Sequence, residues 1–324
     1  MTDAANKALA IKAKGGLGNR MLSGVTGLVL AKLLGRTPYI DWRDGMYVPP
    51  GENLYPHLFD ASWMGDPATF DDSTDVTPSL WSGRMSQHPT DVIHSDFPNS
   101  HQDPLIYRKL SVDLRGADPA QQVAVFWSYV SKLRRLKRRM AAHPDFSGKS
   151  LDEVASDYLD RYFRAAPEVS QAVDTIFEGI ATPVIGLHIR YTDRKVSLQR
   201  IMRSLERLKR EQPNASVFLA TDSADAHAAV LDRIPQTISI SKALAEKGSA
   251  LHVASGEYAD PVSEARNALI DMLALSRCDW LVHSRHSTFS VTASLMGRLA
   301  QSRQIDIDAF NPGILFKQYL QARV

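Results

Sequence analysis

Residues 8–42 read ALAIKAKGGLGNRMLSGVTGLVLAKLLGRTPYIDW. Leu9 and Ile11 alternate in a short strand over Ala8–Ala13. The glycine turn Lys14–Arg20 follows. An apolar run from Met21 to Leu34, interrupted by Lys32, reads as a buried helix, and Gly35 suits its left-handed end. TPYIDW, Thr37–Trp42, is the next strand. Strand, helix and strand at this spacing make a βαβ unit, which implies a parallel sheet covered by helices. Such sheets bind ligands outside the carboxyl ends of their strands. The residues that follow each strand are therefore where chemistry is to be sought.

Beyond this unit, residues 47–118 are punctuated by prolines at 49, 50, 56, 67, 78, 89, 98 and 104, the mark of long functional loops. Asp91–His94 reads as a short strand embedded there. A helical pattern resumes near Gln121 and runs through LRRLKRR (Leu133–Arg139). Ser150-Leu151-Asp152-Glu153 is a capping-box signature, and Pro167 opens a helix to about Gly179. Near residue 180 the pattern restarts. Strands are expected at Pro183–Arg190, Ser216–Thr221, Thr237–Ile240 and Asp279–Val282. Helices are expected at Ser197–Glu211, after Asp222-Ser223, at Val262–Ser276 and from Thr288. The fold expected is α/β, with two Rossmann-like domains facing a cleft, residues 1–179 and 180–324.

The 324 residues suffice for two domains. Lysine plus arginine number 38 and aspartate plus glutamate 36, a net charge of +2. That balance excludes a polybasic nucleic-acid coat and an acidic tail, so no nucleic-acid partner is expected. A single cysteine, Cys278, excludes a disulfide framework and a cysteine-based zinc cluster. It fits a reducing compartment, and a cytoplasmic location is expected. Met1–Ala10 lacks the apolar core of a signal peptide, and no transmembrane segment is expected. The basic stretch Lys132–Arg139 reads first as a solvated helix face. Its other reading is peripheral contact with an anionic membrane or an acceptor.

Three stretches carry residue types suited to chemistry. In Gly15–Arg20, glycines admit close approach and a helix start attracts anions. Met21 stands where a dinucleotide fingerprint needs its third glycine, and no P-loop follows. A nicotinamide dehydrogenase is thus disfavoured, and a plain tight turn stays open. The stretch HIRYTDRK, His188–Lys195, ends a strand and puts His188 and Arg190 on one face. A guanidinium fork there suits a phosphate. The stretch HSRHST, His283–Thr288, sets hydroxyls and free N–H groups at a helix start, where a diphosphate can sit. No nucleophile elbow is present. Asp306-Ile307-Asp308 has the Asp-x-Asp form of metal-dependent sugar transferases, but lies near the C-terminus. The histidines show no metal-ligand spacing.

Taken together, Gly15–Arg20 with Thr37–Arg43 resembles the N-terminal region of the bacterial nodulation α1,6-fucosyltransferases. His188-Ile189-Arg190-x-x-Asp193 resembles the first motif of the α1,6-, α1,2- and protein O-fucosyltransferase superfamily. Thr221-Asp222-Ser223 resembles the second. Leu251-His252, Ala268–Met272 and Ser287-Thr288 resemble the third region. The resemblance implies a GT-B fold, GDP-fucose as co-substrate, a saccharide or glycoconjugate acceptor, inversion at the anomeric carbon, and neither cofactor nor metal.

By position, the resemblance makes Arg190 the group that neutralises the β-phosphate, with Asp193 beside it as the second catalytic residue. His188 shapes the same pocket and Asp222 supports the donor loop. Asp271 accepts from the guanine edge, and Ser287 and Thr288 hold the diphosphate. Gly16, Gly18, Asn19 and Arg20 complete the donor-binding set. Tyr191 stands where relatives carry a second basic residue, and the register of the animal enzymes' glutamate base falls near Ser197 and Leu198. For the base, Asp193, Asp41 and Asp44 remain open. So do another nucleotide sugar as donor, and a non-catalytic nucleotide- or carbohydrate-binding protein.

Overall fold

The structure, a computed structural model, describes residues 7–43, 45–99, 104–191, 197–242, 260–309, 312, 313 and 316. Its first elements are strand β1 (Ala8–Lys12), helix α1 (Leu17–Leu34) and strand β2 (Thr37–Asp41). Gly15 makes the turn between β1 and α1 at φ +80°, where L side chains are strained. Gly35 ends α1 in the left-handed conformation and donates to the carbonyls of Ala31 and Lys32. Inside α1, a β-carbon at Gly27 would lie 2.8 Å from the side chains of Ile11 and Phe126. The missing side chain lets the helix lie close on the sheet.

The chain continues through α2 (Tyr55–Leu58), β3 (Val76–Thr77), α3 (Pro89–Asp96), α4 (Pro104–Lys109), β4 (Val123–Trp127), α5 (Leu133–Ala141) and α6 (Leu151–Tyr162). The order in the first sheet is β2-β1-β4-β3, all parallel. All five residues of β1 and all five of β4 are buried, as a parallel sheet covered on both faces requires. The capping box at Ser150 forms: Glu153 N–H donates to Ser150 Oγ at 3.2 Å and Ser150 N–H to Glu153 Oε2 at 2.8 Å.

Two sequence expectations in this part are corrected. Residues 123–127, VAVFW, form the central strand β4 where the helical pattern was expected to resume. A continuous apolar run of five, four of them β-branched or aromatic, suits a strand buried on both sides. Asp91–His94, expected as a strand, lies in helix α3. Pro89 at its first turn and the His88 cap, whose Nδ1 accepts from Thr90 N–H at 3.2 Å, start a helix there.

The second set of elements is α7 (Pro167–Phe177), β5 (Val184–Ile189), α8 (Leu198–Glu211), β6 (Ser216–Thr221), α9 (Ala224–Arg233), α10 (Pro261–Ser276), β7 (Trp280–His283), α11 (Thr288–Met296) and β8 (Gln304–Asp306). Its sheet runs β6-β5-β7-β8, again all parallel. The strand expected over Thr237–Ile240 is reduced to one bridge, Phe218 to Ile238. Ile201, Leu205 and Leu208 on one face of α8 pack with Leu187, Ile189 and Val217 of the strands in one core. The chain divides into two compact units, Met1–Arg164 and Ala165–Gln318. Helix α7 counts with the second because it is tied to α10: Arg277 meets Asp174 at 2.6 Å and Arg266 meets Glu168 at 3.5 Å. No helix among the described residues is long and apolar enough to cross a membrane.

Candidate functional site

In the second unit, three adjacent strands end at the residues singled out in the sequence. Strand β5 ends at Ile189 and delivers Arg190; its neighbours β6 and β7 lead into Asp222 and into Ser284–Ser287. Tyr191 N–H donates to Asp222 Oδ1 at 2.9 Å, so the first motif is pinned to the second. Tyr191 contributes here through its backbone. Ser223 caps α9, its Oγ accepting from Ala226 N–H at 3.3 Å.

His188, 8% exposed, stacks on Phe289 of α11, with ring centroids 5.1 Å apart and planes 18° apart. Burial, reinforced by His283, Arg190 and Lys242, pushes its pKa down to about 3. It is therefore a neutral ring at pH 7, a wall and hydrogen-bonding group. His283, with Nδ1 3.0 Å from Ser290 Oγ, is driven down to about 4, first by burial.

Asp271, in α10, is 1% exposed. Its Oδ2 accepts from Lys242, while Oδ1 has no hydrogen-bond partner in the protein. Burial raises its pKa, and the Lys242 ammonium only partly opposes that. Ser287 stands at the N-cap of α11, yet its hydroxyl caps nothing and is buried without a partner. A buried polar atom left unpaired costs about 1–3 kcal/mol. Ser287 Oγ and Asp271 Oδ1 are thus polar atoms suited to meeting a ligand. Thr288, half-buried, opens α11 beside Ser287.

The Asp-x-Asp reading of 306–308 gives way to a structural role. Asp306 Oδ1 accepts from the N–H groups of Arg285 at 3.1 Å and Asp308 at 3.0 Å, and Asp308 Oδ2 accepts from Ser284 Oγ at 2.5 Å. Both carboxylates hold the loop after β7. Among the described residues no group of three or more His, Cys, Asp or Glu could hold a metal ion.

The glycine turn stands in the first unit, whereas the other residues expected at the donor stand in the second. A β-carbon at Gly16 would meet nothing within 4 Å, Gly18 is buried and Asn19 is half-buried. Arg20, fully buried, turns back so that Nε donates to Gly15 O at 2.7 Å, and its guanidinium lies over the Trp42 and Tyr47 rings. It shapes the turn from within. Asp41 does not fit the role of base. It is buried, with Lys12 at 2.8 Å on one oxygen and Arg43 at 2.8 and 3.0 Å. Burial alone would raise its pKa; Lys12 and Arg43 outweigh that and hold it below the usual carboxylate range. Asp193, Arg194, Lys195, Asp44, Leu251 and His252 lie outside the described residues.

Sequence reasoning missed Lys242 and Phe289. Lys242 follows the Ile238 bridge, whose N–H and C=O pair with Val217 and Leu219 at 2.8 Å. The search after each strand, extended to this short edge segment, finds it.

The family model described as nodulation protein Z (NodZ) matches residues 150–322. Nodulation protein Z of Bradyrhizobium diazoefficiens is 25% identical over 331 residues, covering 93% of this chain and 80% of that protein. The crystal structure of fucosyltransferase NodZ from Bradyrhizobium superposes with a TM-score of 0.61 at 21% identity, covering 90% of this chain and 93% of that one. A NodZ α1,6-fucosyltransferase soaked with GDP-fucose gives a TM-score of 0.61 at 20% identity, with 90% and 92% coverage. The fold class is α/β, of the GT-B type.

Proposed function

This chain belongs to the nodulation protein Z family, and from that premise we propose that it is an inverting, metal-independent fucosyltransferase that moves fucose from GDP-fucose to a saccharide acceptor. The observation that carries the reading is that Ser287 and Asp271, two residues of the motifs, each keep a buried polar atom without a partner, Ser287 Oγ and Asp271 Oδ1. Arg190 supplies the cation at the end of β5. In this reading Asp271 Oδ1 accepts from the guanine edge, with Lys242 fixing the carboxylate from its other side. The diphosphate lies against Ser287, Thr288 and the amino end of α11.

The acceptor oxygen attacks the anomeric carbon. The bond from that carbon to the β-phosphate oxygen breaks, and its electron pair leaves with GDP. A single displacement inverts the centre. Negative charge grows on the departing phosphate; in this reading Arg190 and the α11 N–H groups meet it, and fixed charge of this kind lowers the barrier without a metal. Neutral His188 walls the pocket without adding a proton that titrates at pH 7. The acceptor's proton goes to a base for which Asp193 and Asp44 stay open, Asp41 being held by Lys12 and Arg43.

Purified protein should transfer fucose from GDP-fucose in EDTA, with inverted configuration in the product. Activity only with added manganese, only with another nucleotide sugar, or with retained configuration would overturn the reading.

A further inference from the structure

Helix α11 is seated on the strand ends of the second sheet at two adjacent points. The β5–β7 register pairs Leu187 with Val282, so His188 and His283, the next residue of each strand, stand side by side. Two consecutive residues of α11 meet them. Phe289 stacks on His188, and Ser290 Oγ lies 3.0 Å from His283 Nδ1. His283 and Ser290 are both fully buried. The donor reading uses His188 as a wall; it leaves His283 and Ser290 without a task.

Ser290 Oγ also donates to the carbonyls of Ser284 and Ser287, each at 3.3 Å. One hydroxyl thus ties together both ends of the loop between β7 and α11. Ser287 N–H closes the same loop on Ser284 O at 3.0 Å. Asp306 and Asp308 hold its first half, through Arg285 N–H and Ser284 Oγ. Three contacts converge on the Ser290 oxygen, and a buried polar group so placed is satisfied only while the loop keeps this shape.

The shape sets a direction. A trans peptide points its C=O and N–H opposite ways. Ser287 O faces back into the helix, where Val291 N–H reaches it at 3.1 Å and Ser290 Oγ at 3.3 Å. Thr288 N–H therefore points out of the amino end of α11, with the other first-turn N–H groups that a helix leaves unsatisfied. Ser287 Oγ makes no capping bond and is buried without a partner at the same end.

We propose that His283 and Ser290 are positioning residues for the diphosphate. The pair anchors the first turn of α11 to the end of β7 and holds the Ser284–Ser287 loop folded back, which keeps Ser287 Oγ and the N–H groups of α11 turned towards the phosphates. The proposal rests on the donor reading and extends it by two residues that touch no part of the donor and to which the resemblance gives no role.

The test separates the phosphate end of the pocket from the base end. GDP is titrated by calorimetry, and guanosine, which carries no phosphate, by ligand-detected NMR. Ser290→Ala removes the oxygen on which the contacts converge. GDP should then bind about tenfold more weakly, the worth of one hydrogen bond to a charged group, while guanosine holds within about twofold. His283→Gln places its amide where Nε2 stood and should behave like Ser290→Ala. His283→Asn places its amide where Nδ1 stood, ready to donate or accept, and should bring GDP back to within about threefold of the wild type. Both histidine variants stay polar, so the comparison reads even where Ser290→Ala does not fold.

Guanosine weakened as much as GDP overturns the proposal, because the pair then supports the whole pocket. So does GDP affinity unchanged in Ser290→Ala and His283→Gln, or His283→Asn no better than His283→Gln. A wild type that does not bind GDP overturns the donor reading, and the proposal with it; the other outcomes leave that reading standing.

Discussion

The two units hold their buried charged and polar side chains differently. In the first unit, Lys12, Asp41, Arg43 and Asp71 form a continuous ion network. Lys12 also donates to Met85 O at 2.6 Å and Gln87 O at 3.2 Å, and Arg43 grips Asp71 with two bonds of 2.8 and 2.9 Å. At the amino end of the same sheet, Arg36 meets Asp118 and four backbone carbonyls. These charges lock loops to strands. In the second unit, Asp271 keeps one bare oxygen, Ser287 a bare hydroxyl, and two histidines are held neutral. The lesson is that burial alone does not mark a site. What marks the second region is where the unsatisfied atoms lie: a carboxylate oxygen and a hydroxyl on two of the residues that the resemblance assigns to the donor.

The largest effect that can break this contrast is Asp41→Asn. Removing one partner from a buried ion network leaves Lys12 without a counter-charge and Arg43 with Asp71 alone, and should cost about 3–5 kcal/mol of stability. Urea unfolding measures it; a variant as stable as the wild type would remove the network from its role. Next comes Arg190→Ala. The turnover number should fall by about 10²–10³-fold while the unfolding midpoint holds, because in the proposed reaction the guanidinium serves charge that grows only in the transition state. A variant within a few-fold of the wild type removes Arg190 from the phosphate.

Acid should act through the second region first. His188 and His283 have folded pKa values near 3 and 4, below the usual 6.5. A depressed histidine pKa means that the unfolded chain takes the proton more readily. The stability contributed is complete above pH 6.5 and falls as the pH drops from there towards 4. Each histidine contributes a slope of up to about 1.4 kcal/mol per pH unit. Asp271, raised by burial, works in the opposite sense nearer its ordinary 3.8. Asp41, held low, loses its contribution only at still lower pH. In His188→Gln the dependence between pH 6.5 and about 4.5 should flatten by up to one proton; an unchanged slope would contradict the neutral, buried ring.

Much of this was legible because period and punctuation agreed. Gly15 and Gly35 fixed both ends of α1, and the strand before Arg190 carried its apolar run to Ile189. The chemistry-bearing residues followed the strands, as the physics of open parallel sheets dictates. β4 was hidden because VAVFW is buried on both faces and shows no alternation, and the prolines ahead of it obscured its start. α3 was hidden because Val92 and Ile93 look like strand while His88 and Pro89 set the helix. The pairing of Asp41 was beyond reach: Lys12 lies 29 residues away, and nothing local announces it. Lys242 was missed because its segment makes only one bridge to the sheet.

The finest test pairs two serines. Ser23 Oγ, buried in the first unit, donates to Ser128 O at 2.7 Å; Ser287 Oγ, buried in the second, donates to nothing in the protein. Ser23→Ala strands a carbonyl and should cost about 1–2 kcal/mol. Ser287→Ala removes an atom that was already unpaired, so its stability should be no lower than that of the wild type and up to about 1–3 kcal/mol higher. The same change should weaken GDP by roughly tenfold, the worth of one hydrogen bond to a charged group. If Ser287→Ala destabilises as much as Ser23→Ala, its hydroxyl was serving the fold, and the contrast between the two regions disappears. If it leaves both stability and GDP affinity untouched, α11 meets the phosphates through backbone N–H groups alone.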